Sequence, residues 1–415
     1  MSTLVKPFAA LRPGREHAAA VVAPPYDVID ADEARGLAAD RPLSFLHISR
    51  PEIDLPPGTD PHSDEVYARG AANLDRLRRD GVLVRERAPA FYVYRMTMDT
   101  PAGPHTQTGI ACVASVRAYE RDIIRKHELT RPDKENDRVR NIDSLNAQTG
   151  PVLTAYRADA VLRALLDDAS HDRPLFEVDG PQRVRHTVWR VDAPAAIERI
   201  GAAFETLGTL YIADGHHRSA AAARVAESRR GAGAGEDASH EYFLTVAFPH
   251  DEMRILDYNR AVADLNGLTP QRLLERLAGT FEVRKTAGRA KPPHPGAFGM
   301  YLDGEWYALE LQAAEIPADP VASLDVSLLQ DRVISPLLGV DDPRTDTRIA
   351  FVGGVRGLEE LERLVDGGRA AVAFALHPTR MEQLMAVADA ERLMPPKSTW
   401  FEPKLADGLL SHVLD

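Results

Sequence analysis

Residues Leu210-Tyr211-Ile212-Ala213 form a short apolar run, followed by Asp214-Gly215-His216-His217-Arg218 and then by Ser-Ala-Ala-Ala-Ala-Arg-Val-Ala-Glu. The apolar run reads as a buried strand, Asp-Gly as a turn, and the alanine-rich segment from Ser219 as a strong helix former. A carboxylate, a glycine, two imidazoles and a guanidinium are thereby packed onto one strand-to-helix turn. Unpaired N–H groups at the start of the helix, with its positive dipole end, make a natural anion site. Arg218 adds a bidentate clamp for a phosphate. Asp214 would repel an anion, so its expected work is binding a cation or steering a hydroxyl. Any one of these residues alone reads as an ordinary polar turn; the whole run points to a site. Zinc needs three or four converging ligands, and adjacent histidines on a turn seldom face one ion. No metal ligand set is therefore expected.

With 415 residues, 44% hydrophobic and 27% charged, the chain has room for two or three domains with ample core. It holds no apolar run of transmembrane length, and the start, Met-Ser-Thr-Leu-Val-Lys-Pro-Phe, lacks the apolar core of a signal peptide. The lone Cys112 sits in Gly-Ile-Ala-Cys-Val-Ala-Ser-Val and reads as a buried strand residue. A cytoplasmic location is expected. The net charge of -12 argues against broad nucleic-acid binding, which needs a basic face. A small anionic ligand held by local arginines remains open to it.

Three portions are expected: an N-terminal α+β portion over 1–120, a core over 121–265 carrying the Asp-Gly-His-His-Arg turn, and a C-terminal α+β portion over 266–415. In the first, Ser44 to Ile48 reads as a strand, Ser63 to Arg79 as a helix, and Ala90–Met98 with Thr106–Tyr119 as a hairpin. The stretch Arg121 to Gly150 is densely charged without clear periodicity, so it reads as a solvated helix face or loop, or as a ligand loop. Beyond it lie a strand at Val152–Tyr156, helices at Ala158–Ser170 and Pro194–Thr206, and a strand at His186–Arg190. Glycines from residue 231 predict an exposed flexible loop, and Tyr242–Phe248 with Arg254–Tyr258 a second hairpin. In the last portion, helices are expected at Thr269–Gly279, Ala322–Leu337, Gly357–Val365 and Thr379–Ala388. Strands there are expected at Gly299–Leu302, Glu305–Leu311, Arg348–Val352 and Ala370–Ala375.

The segment Met394-Pro-Pro-Lys-Ser-Thr-Trp-Phe-Glu-Pro-Lys404 has two aromatics and three prolines, which is unlike a fraying end. It reads as a docked segment that folds over the turn at 214–218 and brings Lys397 and Lys404 to an anion there.

On these motifs the chain resembles, over nearly its full length, the bacterial family called domain of unknown function 1015. The residues that carry the resemblance are Pro-Pro-Tyr-Asp, Ser-Phe-Leu-His-Ile-Ser-Arg-Pro-Glu, Lys-His-Glu-Leu-Thr and Lys-Glu-Asn-Asp-Arg. To these it adds Ile-Ala-Asp-Gly-His-His-Arg, Asp-Pro-Arg-Thr-Asp and the Met-Pro-Pro-Lys segment. The Asp-Gly-His-His-Arg core is also similar to the phosphate-binding motif of the ParB/sulfiredoxin superfamily, and within it to that of the free L-serine kinases. That similarity implies a mixed α/β (α+β) fold with a ParB/sulfiredoxin-like core. It further implies that Asp214 orients the nucleophile or Mg2+, that Gly215 lets the backbone approach, and that His217 and Arg218 hold nucleotide phosphates. His217 is grouped with Asp214 and Glu128 as catalytic, Glu128 being the candidate base. Gly215, His216, Arg218, Lys397 and Lys404 form the phosphate-binding set.

Phosphoryl transfer needs positioned anions, charge neutralisation and a base, and the chain has no Walker-type loop. The expected function is therefore a small-molecule phosphotransferase, a kinase of free serine or a similar hydroxy amino acid using ATP or ADP with Mg2+. A phosphoserine phosphatase using the same cradle, and a non-catalytic nucleotide-binding regulator, are the alternatives.

Overall fold

Nine strands assemble into one mixed sheet, its central ones apolar on both faces and its edge strand Phe176–Asp179 on one face alone. They are β1 (Val5–Lys6), β2 (Phe91–Thr100), β3 (Gly103–Ser115), β4 (Ile124–Arg125), β5 (Val152–Tyr156), β6 (Phe176–Asp179), β7 (Arg185–Val191), β8 (Leu210–Asp214) and β9 (Tyr242–Pro249). In this computed structural model, residues 3–415 are described, except 102, 233, 234 and 236. The spatial order is β4-β8-β5-β9-β3-β2-β7-β6, with β1 paired to β3. β5 lies parallel to β9 and antiparallel to β8. The central strands are buried along their whole length, as the unbroken apolar runs of β5 and β9 require.

Helices α1 (Asp64–Arg79), α2 (Pro132–Leu145), α3 (Ala160–Ala169), α4 (Pro194–Leu207) and α5 (His216–Arg229) belong to the same unit. One core cluster gathers Phe91, Cys112, Tyr156, Phe204, Ile212 and Phe243. Cys112 lies in that core as expected, and burial pushes its thiol pKa up. A second cluster joins Phe45, Leu46, Ile48, Leu74 and Leu77. α5 presents Ser219, Ala220, Ala221 and Ala222 as buried small residues. Ala221 and Val225 meet Ile142 of α2 and Leu414 near the C-terminus. Ion pairs from Glu135 to Arg224 and from Asp143 to Arg229 run along both helices, so α2 and α5 lie parallel with their N-termini together.

The chain divides into two units, 1–253 with 403–415, and 254–402. The second unit has an antiparallel sheet of β10 (Tyr258–Val262), β11 (Glu282–Lys285), β12 (Ala297–Leu302), β13 (Glu305–Glu310), β14 (Ile349–Gly353) and β15 (Val372–Leu376). Their order is β11-β13-β12-β15-β10-β14. Its helices include α6 (Pro270–Leu277), α7 (Asp325–Leu329), α8 (Glu359–Asp366) and α9 (Met381–Asp389). Entry and exit of this unit are stitched together: Ile255 pairs with Phe401 and Leu256 with Trp400. The Trp400 ring lies so close to Gly353 that a Cβ there would come within 2.8 Å of it.

Four expectations change and one open alternative, helix face or loop in the charged stretch, is decided. The boundary placed at 120/121 cuts through a single sheet, since β2 and β3 share it with β5, β8 and β9. Ser44–Ile48 is not a strand: Leu46–Ser49 is a helical turn, because short apolar runs do not separate strand from helix by periodicity. The charged stretch 121–150 contains α2, started by Pro132 at its first turn and ended by Asn146 in the left-handed region at φ 45°. Tyr242–Phe248 forms no hairpin with the residues after 254, because β9 sits between β3 and β5. The helix expected over 322–337 widens into a π-turn at Gln330–Ile334. The glycine loop from residue 231 falls partly outside the described residues. Among the described residues no helix is long and apolar enough to cross a membrane.

Candidate functional site

At the end of β8 the register against β5 shifts between Ile212 and Asp214. Such an irregularity re-aims the side chain that follows it. Gly215 then takes φ +102°, a conformation that favours glycine, and a Cβ there would lie 3.0 Å from the Arg218 guanidinium. The helix begins at His216, not at Ser219, so His216, His217 and Arg218 occupy the first turn of α5. Their side chains diverge as helical geometry demands.

Arg218 points inward, with 10% of its side chain exposed, and lies 3.7 Å from both Asp27 and Asp214. It also donates to the Pro151 carbonyl. Lys404, with 13% exposed, donates to Asp214 Oδ2 at 3.0 Å. Burial alone would raise the Asp214 pKa, but Lys404 and Arg218 hold it far below the usual carboxylate range. Lys404 is in turn raised by Asp214 and Asp27 against the effect of burial. The site therefore keeps an ionised carboxylate between two permanent cations.

His217 turns towards α2, where its Nε2 accepts the Arg131 N–H at 3.0 Å. Burial lowers its pKa against the pull of Glu135 and Asp27. His216 turns the other way and is buried. Its Nε2 accepts the His127 N–H at 3.4 Å, and its Nδ1 lies 4.0 Å from Glu128 Oε2. The imidazoles of His127 and His216 meet edge to face, 4.4 Å between centroids. Burial pushes His127 down to about 4 and His216 well below the ordinary imidazole value, where His127 also repels it. Both rings are neutral at pH 7. The Glu128 side chain is 46% exposed.

The site residues expected from sequence thus separate into groups. Asp214, Gly215, Arg218 and Lys404 come together at the start of α5. His216 offers only its backbone there, since its ring faces Glu128. Lys397 belongs to the second unit, where its ammonium lies 5.9 Å from the Tyr258 ring centroid and its carbonyl accepts from Arg260.

Four residues not assigned from sequence complete the surroundings. Asp27 pairs with Arg218, and Arg138 stacks over Tyr26 at 3.8 Å. Asp407 is buried, and burial lifts its carboxyl to about 7 even with Arg218 nearby. Tyr26, Arg138, Arg218 and Asp407 line one small cavity of about 30 Å³, with Ser49 and Gln148. The signal for Tyr26, Asp27 and Arg138 was present in the Pro-Pro-Tyr-Asp and Lys-Glu-Asn-Asp-Arg motifs, which carried a resemblance but no role.

No curated protein matches the chain. Among solved structures it is similar to a free serine kinase in complex with AMP, at 15% identity and TM-score 0.34, covering 70% of this chain and 86% of that one. SbnI with a C-terminal truncation, from Staphylococcus aureus, is 12% identical with TM-score 0.37, covering 72% and 85%. A conserved hypothetical protein from Pyrococcus furiosus is 15% identical with TM-score 0.33, covering 72% and 94%. Residues 5–327, which hold every site group described above except Lys397, Lys404 and Asp407, match the model of the protein of unknown function DUF1015, and the chain belongs to that family.

Proposed function

We propose that the first unit is a small-molecule phosphotransferase, a nucleotide-dependent kinase of free serine or a similar hydroxy amino acid. The observation that carries this reading is the pair Arg218 and Lys404 flanking Asp214 where α5 begins through the left-handed Gly215. Helix N–H groups and two cations at one point suit the phosphates of ATP or ADP. Asp214 and Asp27 are oxygen donors of the type Mg2+ takes, so the residues present fit a nucleotide accompanied by that ion.

In the proposed reaction the acceptor hydroxyl oxygen forms a bond to the terminal phosphorus as the bridging P–O bond of the donor breaks. The shortened nucleotide leaves with the bridging oxygen, and the hydroxyl proton passes to the Glu128 carboxylate. Glu128 suits that task better than Asp214. It is half exposed, whereas the cations around Asp214 make it a very weak base. Arg218 and Lys404 offset the charge on the transferring group.

The test is phosphorus NMR of full-length protein with serine and ATP or ADP, and separately with phosphoserine. A new phosphomonoester signal that needs both serine and nucleotide supports the kinase. Release of inorganic phosphate from phosphoserine alone would show a phosphatase instead. Nucleotide binding without either product would leave a regulatory protein.

A further inference from the structure

The loop 126–131 places two chemistry-bearing side chains, His127 and Glu128, against the first residue of α5. One ligand atom from each of His127, Glu128 and His216 lies within 4.8 Å of the other two. His127 is 2% exposed and His216 is 5% exposed. Neither ring nitrogen of His127 makes a well-formed hydrogen bond, and one of them faces the Ile212 carbonyl, which can accept its N–H. The remaining nitrogen of the neutral ring keeps a buried lone pair, which is costly unless something else takes it.

We propose that His127, Glu128 and His216 bind one divalent transition-metal ion of the zinc class. Two imidazoles and one carboxylate are a donor set that suits zinc and its first-row neighbours, and they leave a coordination position open. Mg2+ is a poor match because it prefers oxygen donors throughout.

Ligand atoms around a tetrahedral zinc sit about 3.3 Å apart, given metal–ligand bonds of about 2 Å. Glu128, with 46% of its side chain exposed, is the ligand whose movement would close the difference. Binding through His216 Nδ1 places a proton on Nε2, so the long 3.4 Å contact with the His127 N–H is given up. That contact is long and weak, small beside the free energy of a bound structural or catalytic zinc. The proposal goes beyond the phosphotransferase reading and does not depend on it. With the ion in place Glu128 is a ligand and no longer free to take a proton, so metal loading and phosphoryl transfer should compete.

The experiment is a titration of full-length, EDTA-treated and desalted protein with Co2+ alone, followed by the visible absorption of the bound ion. Saturable bands at one ion per chain, displaced by Zn2+, are expected. Glu128→Gln changes a half-exposed residue and should weaken binding at least about tenfold, no less than the loss of an outer-shell partner. His127→Gln should do the same, with circular dichroism reporting its fold; should it misfold, Glu128→Gln decides. His62→Gln alters an exposed histidine elsewhere and should bind as the parent does. No saturable bands in the parent, or undiminished binding by Glu128→Gln, would overturn the proposal. So would loss of binding in His62→Gln alone. Nucleotide and serine are absent throughout, so this result and the phosphorus NMR result stand or fall separately.

Discussion

The pairing of Lys404 with Asp214 joins residues 190 positions apart, and the physics of the site turns on it. Removing the ammonium leaves Asp214 with Arg218 as its only close cation among the described residues, in a position where burial disfavours charge. Lys404→Ala should therefore cost about 1–3 kcal/mol of stability, the penalty for an under-satisfied polar group, read from urea midpoints. It should also reduce the rise in melting temperature that ADP gives the parent by mass action. Lys397→Ala is the companion variant. If the two lysines act alike on both readouts, the distinction drawn here between them is wrong. Lys404 was legible in the sequence as a docked lysine because Trp400, Phe401 and the prolines mark an ordered segment. The identity of its partner was not, because a lysine carries no sign of which carboxylate will meet it.

At the scale of elements, the start of α5 depends on close helix packing. Ala221 is fully buried where α5 meets Ile142 of α2. Ala221→Leu adds three carbons to a filled space and should destabilise by about 1–3 kcal/mol. Because the α2 and α5 N-termini share the bond from Arg131 to His217, it should also weaken ADP binding. An unfolding midpoint equal to that of the parent would contradict this packing. α5 was readable because alanine propensity and the preceding apolar strand agree. α2 was not: Val139, Ile142 and Leu145 give it only a narrow apolar stripe, and its charged residues are spent in ion pairs with α5 that no periodicity announces. For the same reason His127 was passed over as one charge-run residue among many, and only the fold turns it against His216.

Over the whole molecule, buried titratable groups pull stability in opposite directions with pH. In the second unit, burial lifts the Asp325 carboxyl to about 7, although Gly296 N–H donates to it at 2.8 Å. The His377 backbone, His294 and Arg380 pull it down only in part. A folded pKa raised above the unfolded value near 3.8 means that its contribution is whole below that pH and is lost as pH rises through 7. In the first unit, burial holds His186 and His412 near 4, so their contribution is whole above 6.5 and lost as pH falls through 4. Asp325→Asn removes only the first of these. Relative to the parent, its urea midpoint should be higher at pH 8 than at pH 5, and a difference that does not change with pH would sink the assignment.

The stitched entry and exit of the second unit carry a consequence for how the protein comes into being. Ile255 and Phe401 pair at its neck, and two residues after Phe401 the chain rejoins the first unit. A ribosome will have produced β8, α5 and the whole inserted unit before the ammonium destined for Asp214 exists. Until then Asp214 has Arg218 alone, and the cradle is one cation short. Nascent chains that stop short of Lys404 therefore lack the ion pair that closes over Asp214.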